Sequence, residues 1–148
     1  VTEHKMSTPG DGNVELMSNA LEAFNRESPD TCAALLAPDF IINLAGLPHQ
    51  MRGREVWKHG FEIMRTGFPD IQAHIEDIFG AGDRVVARLV FRGTHSGEFQ
   101  GIPATGREVE YTSIEIYRIS DGLIAEEWIC SDMATLMQQI GGTAQSSA

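Results

Sequence analysis

Basic residues are scarce. The chain of 148 residues carries 11 Lys and Arg against 21 Asp and Glu, a formal net charge of −10. Nucleic acids and anionic membrane surfaces are recognised through basic patches, so neither is expected as a partner. Cysteine is scarcer still. Cys32 and Cys130 are the only two, in unrelated contexts and without CxxC spacing, which argues against a zinc or redox motif and for small hydrophobes in a reducing cytoplasm. There is no run of 18 apolar residues, so no helix is expected to cross a membrane. The opening VTEHKMSTPGDG has no apolar segment of the kind a signal peptide needs. The histidines, at 4, 49, 59, 74 and 95, show neither HExxH nor paired spacing, and no glycine-rich phosphate loop is present. No metal is therefore expected.

What is present is a succession of helical patterns followed by a run of strands. Val14, Met17, Leu21 and Phe24 repeat at helical spacing within 13–26, with Asp11 or Asn13 as a possible cap. Ser28-Pro29-Asp30 reads as a second helix start, with a capping hydroxyl, a proline at the first position and an acid in the first turn. Pro38 should stop that helix. A short strand at 39–44 and a loop or loose hairpin arm at 45–52 follow. Trp57, Phe61 and Met64 mark a third helix over 54–66, closed by Gly67. Strands are then expected at 71–79, 84–95, 109–119 and 123–132, and a last short helix at 133–140. Ser120-Asp121-Gly122 between the final two strands is a strong hairpin signal.

Helices first and antiparallel strands after make an α+β domain. The expected arrangement is one domain over 11–141, its curved mixed or antiparallel sheet wrapped around the N-terminal helices as a cone-shaped barrel, with flexible termini at 1–10 and 142–148. The facing of the strands follows from their arginines. Arg84, Arg88 and Arg92, four residues apart, fall on one face of a period-two strand and belong outside, so Val85, Ala87, Leu89, Phe91 and His95 point in. With Arg118 outside, Val109, Tyr111, Ser113, Glu115 and Tyr117 point in, and on the last strand so do Ala125, Glu127, Ile129 and Ser131. Glu115 and Glu127 thus fall inside strands that look half-buried, where an ionised carboxylate is costly unless it is paired or has a job. Each is also compatible with a plain solvated strand face, and Glu127 with an ion pair to Arg54 or Arg107.

Certain segments carry a family resemblance: Pro38-Asp39-Phe40, Gly67-Phe68-Pro69-Asp70, the stretch from Gly93-Thr94-His95 to Gly101-Ile102-Pro103-Ala104-Thr105-Gly106, and Asp121-Gly122-Leu123-Ile124 with Glu126-Glu127-Trp128. Together they resemble the SnoaL-like polyketide cyclases of the nuclear transport factor 2-like superfamily, over about residues 13–141. The resemblance implies an α+β cone, a dimer or tetramer, an apolar pocket, and acid–base ring closure of an aromatic polyketide ester by an intramolecular aldol reaction without a cofactor. Relatives on the same fold carry out hydroxylation, isomerisation or epoxide opening, and some only bind ligands. The family places an aspartate directly after the position of Trp128 and a histidine fourteen residues earlier. This chain has Ile129 and Glu115 there, and keeps the histidine before the Gly-Ile-Pro loop as His95.

The site expected on these grounds has Glu115 as base, partnered by His95, with Glu127 beside them. Tyr111 and Tyr117 would be hydroxyl donors, Trp57, Met64, Phe91 and Ile129 apolar wall, and Asp132 would sit at the mouth. His49 could close over it. The expected activity is cofactor-independent cyclisation or isomerisation of a hydrophobic, polyketide-like substrate by a homodimer. A ligand-binding protein without chemistry is the alternative. An epoxide hydrolase is a further one, although its Asp-Arg-Asp set around a water is not recognisable in the sequence.

Overall fold

The computed structural model describes residues 11–141; the two termini expected to be flexible lie outside them. Two helices come first. α1 (Asp11–Arg26) turns Met17 and Leu21 inward, and α2 (Pro29–Ala33) starts where the Ser28 hydroxyl accepts the Thr31 amide at 3.2 Å. β1 (Leu36–Leu44), β2 (Met51–Arg52) and α3 (Arg54–Gly67) follow, then the long strands β3 (Gln72–Ala81), β4 (Arg84–Thr94), β5 (Glu108–Ser120) and β6 (Leu123–Ser131), and the short α4 (Met133–Gln139). Pro38 does not end a helix as expected. α2 stops earlier, and the proline lies within β1 where the register slips between Leu36 and Ile41, a place where its missing N–H is tolerated.

The strands form one six-stranded sheet in the order β2-β1-β6-β5-β4-β3. All neighbours are antiparallel except β1 and β6, which run parallel. β2 and β3 are the two free edges, so the sheet is open. This corrects the expected cone-shaped barrel: closure would require hydrogen bonds between the first and last strands of the order, and they do not pair. The mixed sheet and the helices packed on it are as the α+β pattern implies.

The inner face carries two clusters. Met17 and Leu21 of α1 meet Phe40, Ile42, Val85, Ala87, Leu89 and Tyr117 in the larger. Phe68, Ile71, Phe99, Val109, Tyr111, Leu136 and Ile140 form the second, near the start of β5. The β5–β6 hairpin closes on Asp121 and Gly122, both at positive φ (51° and 74°), as a two-residue turn matched to strand twist requires. A register shift after Arg118 places Ala125 as an extra residue, so Ile124 and Glu127 both face the core. Among the described residues no helix is long and apolar enough to cross a membrane.

Candidate functional site

Three alternate rungs between β5 and β6, the ones that face inward, build the site. Ser113 pairs with Ser131, Glu115 with Ile129, and Tyr117 with Glu127. On the other side β4 sets Leu89, Ala87 and Val85 against the same three β5 residues. Ala87 opposite Glu115 is the small side chain that leaves room for a carboxyl. The period of two thus brings Glu115 and Glu127 to the inner face, diagonal neighbours across the hairpin, only 7% and 6% exposed.

Their hydrogen bonding differs. Glu115 accepts the Tyr117 hydroxyl on Oε1 at 2.5 Å and the Ser113 hydroxyl on Oε2 at 2.8 Å. Among the described residues the Glu127 carboxyl has no hydrogen-bond partner, and no arginine or lysine approaches either group. Arg54 donates instead to the Leu36 carbonyl and Arg107 to the Gln139 carbonyl. Burial raises the Glu115 carboxyl above the ordinary range, while its two hydroxyl donors favour the ionised form and pull it back. Glu127 is pushed up much further, by burial first and then by the field of Glu115, with nothing to oppose them. The hydroxyl donors thus favour the ionised form at Glu115, while burial beside another carboxyl favours the protonated form at Glu127. Tyr117 is held protonated by burial and by both carboxyls, and Tyr111 by burial and Glu115.

The other expected members are distributed unevenly. His95 is fully buried but stands in the second cluster. Its ring lies 5.4 Å from that of Phe68, and its Nδ1 is within 2.9 Å of the Thr105 hydroxyl and receives the Thr105 amide at 3.3 Å. The His95 amide bonds the Arg107 carbonyl, eight positions before Glu115 on the same strand path, roughly 25 Å away at a strand's rise. The structure therefore does not bring Glu115 and His95 together. Asp132 is exposed and caps α4, accepting the Thr135 amide at 3.1 Å and its hydroxyl at 2.7 Å. Phe91 stacks on Tyr111 with ring centroids 5.2 Å apart, Trp57 leans on Phe61 at 5.4 Å, and Met64 packs against the second cluster; all three are half-buried.

Two grooves stand out among the described residues, and neither is lined by Glu115 or Glu127. The larger, about 400 Å³, lies on the outer face between Ile114, Ile116, Trp128 and the 45–50 loop, and takes in His49. His49 thus belongs to the outer face rather than to the carboxyl pair. Among the described residues no three His, Cys, Asp or Glu side chains converge as a metal-ligand set. The sequence reading placed Ser113 and Ser131 inward without giving them a role. Their alternation with Glu115 was visible; the hydroxyl-to-carboxyl contact was not.

The model of the SnoaL-like polyketide cyclases matches residues 15–140. The chain belongs to this family. It is 30% identical over 132 residues to the aklanonic acid methyl ester cyclase DauD of Streptomyces sp. (strain C5), covering 86% of this chain and 81% of that one. It is 29% identical over 124 residues to the nogalonic acid methyl ester cyclase of Streptomyces nogalater, covering 82% and 91%. Among solved structures, IdmH of Streptomyces antibioticus is 38% identical, with a TM-score of 0.76 over 88% of this chain and 99% of that one. This homology supports a cyclase- or isomerase-type role on a small hydrophobic substrate. Glu115 and Ile129, the two positions where the family resemblance implies a histidine and an aspartate, face each other directly across β5 and β6.

Proposed function

We propose that the protein is a cofactor-independent acid–base enzyme that cyclises or isomerises a hydrophobic polyketide-like ester, with Glu115 as base and Glu127 as acid. The observation that carries this reading is a buried pair of carboxyls with no cation beside it among the described residues, one held by two of their hydroxyls and the other by none. Glu115 takes a proton from the carbon next to a substrate carbonyl, and the enolate adds to a second carbonyl of the same molecule. The alkoxide so formed takes the proton of Glu127. Glu115 then carries one proton more and Glu127 one fewer, and transfer between these neighbours resets the pair. Atoms balance without a co-reactant. Because the pair is nearly covered, ligand entry moves aside half-buried apolar side chains such as Trp57 and Phe91, which then form the wall. His95 takes no part and instead supports the second cluster. An epoxide hydrolase reading lacks its arginine: Arg118, the closest in sequence, points outward to Glu126 at 3.2 Å.

The test is turnover of aklanonic and nogalonic acid methyl esters by the wild type and Glu115→Gln. A positioned general base contributes about 10²–10⁴-fold in rate, so the variant should lose that much in kcat while ligand affinity changes little. Equal rates would remove Glu115 from the chemistry. Ile129 opposite Glu115 favours a second reading, a protein that binds such compounds without converting them. Ligand-dependent stabilisation with no turnover by the wild type would establish it.

We also propose a homodimer formed through the outer face. Val86, Val90, Thr112, Ile114, Ile116 and Trp128 lie on that side, Ile114 is 53% exposed, and two such sheet faces can pack about a two-fold axis.

A further inference from the structure

The hydrogen-bond chain behind Glu115 extends one residue beyond Ser113. Ser131 Oγ lies 2.8 Å from Ser113 Oγ, and Ser113 Oγ lies 2.8 Å from Glu115 Oε2. With Glu115 ionised as the base, the direction of each proton follows. An ionised carboxylate only accepts, so Ser113 donates to Glu115 and its oxygen is left to accept from Ser131. Two hydroxyls thus point the same way, and each polarises the next. The arrangement is written into the rungs: Ser113 and Ser131 are direct partners, two rungs from Glu115 and Ile129 and so on the same face. Ser113 is buried, whereas Ser131 is half-buried at the end of β6, beside the exposed Asp132.

We propose that Ser131 is a positioning residue for Glu115, acting through Ser113: the serine pair holds the Oε2 side of the carboxyl, opposite the Tyr117 hydroxyl on Oε1, and so orients Glu115 for proton abstraction. The proposal rests on the reading of Glu115 as the base. The geometry also explains an asymmetry that the two glutamates alone do not. Both sit on the same inner face with similar burial, yet only Glu115 has donors, because only its strand places hydroxyl residues two positions to either side, at 113 and 117. The titratable groups facing Glu115 are Glu127 from β6 and Tyr111 and Tyr117 from its own strand; β4 presents only Ala87 and Leu89. With no cation among them, the hydroxyl donors are what favour the ionised form of Glu115 against its burial.

The experiment follows the Glu115 carboxyl directly by carbon NMR of protein labelled at glutamate Cδ, the resonance being assigned by its loss in Glu115→Gln. Removing a donor disfavours the ionised form, so titration must move to higher pH. Ser113→Ala should move it by about one unit, and Ser131→Ala by roughly a third of that. Ser131→Thr, which keeps the hydroxyl, should leave it in place. The low-pH limb of kcat/KM should shift in parallel. An unmoved resonance in Ser131→Ala overturns the proposal whatever the activity of Glu115→Gln. Shifted resonances together with a fully active Glu115→Gln overturn the base assignment instead, and leave the hydroxyl chain standing.

Discussion

A carboxyl buried beside another carboxyl holds its proton to a higher pH than it does in the unfolded chain. For Glu127 this has a consequence for stability. Below the ordinary carboxylate range, folded and unfolded forms are both protonated and the full stability is present. As pH rises through that range the unfolded chain releases the proton first, so stability falls until the raised folded value is passed. Glu127→Gln has no proton to release. It should melt higher than the wild type at pH 8, by roughly 2–4 °C per kcal/mol recovered, and the difference should shrink toward pH 4. A variant destabilised equally at both pH values would show that the side chain is held by contacts we have not described. Much of this residue-scale picture was legible in the sequence, because three arginines on one face of a period-two strand fix which face is outside, and Glu115 and Glu127 follow. The partner of Glu115 was not. His95 obeys the same alternation, but it lies past the end of β4, where direction is set by the Thr105 and Arg107 contacts of the following loop and no longer by the pleat.

Short elements depend on their ends. α4 has only seven residues, yet its Leu136, with Ile140 just after it, helps seal the second cluster. Asp132 satisfies its first turn by accepting the Thr135 amide. Asp132→Ala should cost about 1 kcal/mol in thermal or urea unfolding and leave kcat unchanged; a large loss of turnover in a stable variant would return Asp132 to the site. Carboxylates at strand ends read alike from sequence whether they cap or catalyse, and only the Asp-x-x-Thr spacing into the following helix pointed to the cap. Gly67 teaches a related lesson. Its place after a helical pattern suggested a stop signal, and it is the last residue of α3. What the structure adds is crowding, since a Cβ there would lie 2.9 Å from that of Phe99. Local sequence shows where a helix ends; it does not show what arrives from thirty residues away.

At the scale of the whole molecule, the decisive features are pairings that no local pattern encodes. Each strand from β3 onward was readable from alternation, and the hairpin between β5 and β6 from Asp121-Gly122. Whether the far edges of the sheet meet was not, because β2 is two residues long and its partner is set by the placement of β1. The outer face gives the prediction that belongs here: sedimentation at micromolar concentration should report twice the chain mass of 16.2 kDa, and a soluble monomer would sink the proposed dimer. The parallel seam between β1 and β6 has an effect in time rather than in space. The Asn43 side-chain amide donates to the Glu127 backbone carbonyl across 84 positions of chain, and nothing between them lets β1 join the sheet sooner. During synthesis the first third of the chain emerges long before the strand it must rest on. The four later strands can assemble by successive neighbour pairing, whereas β1 and β2 must wait for β6, and contacts so distant in sequence form slowly. The exposed edge of β6 is therefore the last to be covered, and in that interval it is the surface on which an unfinished chain is most open to pairing with the wrong partner.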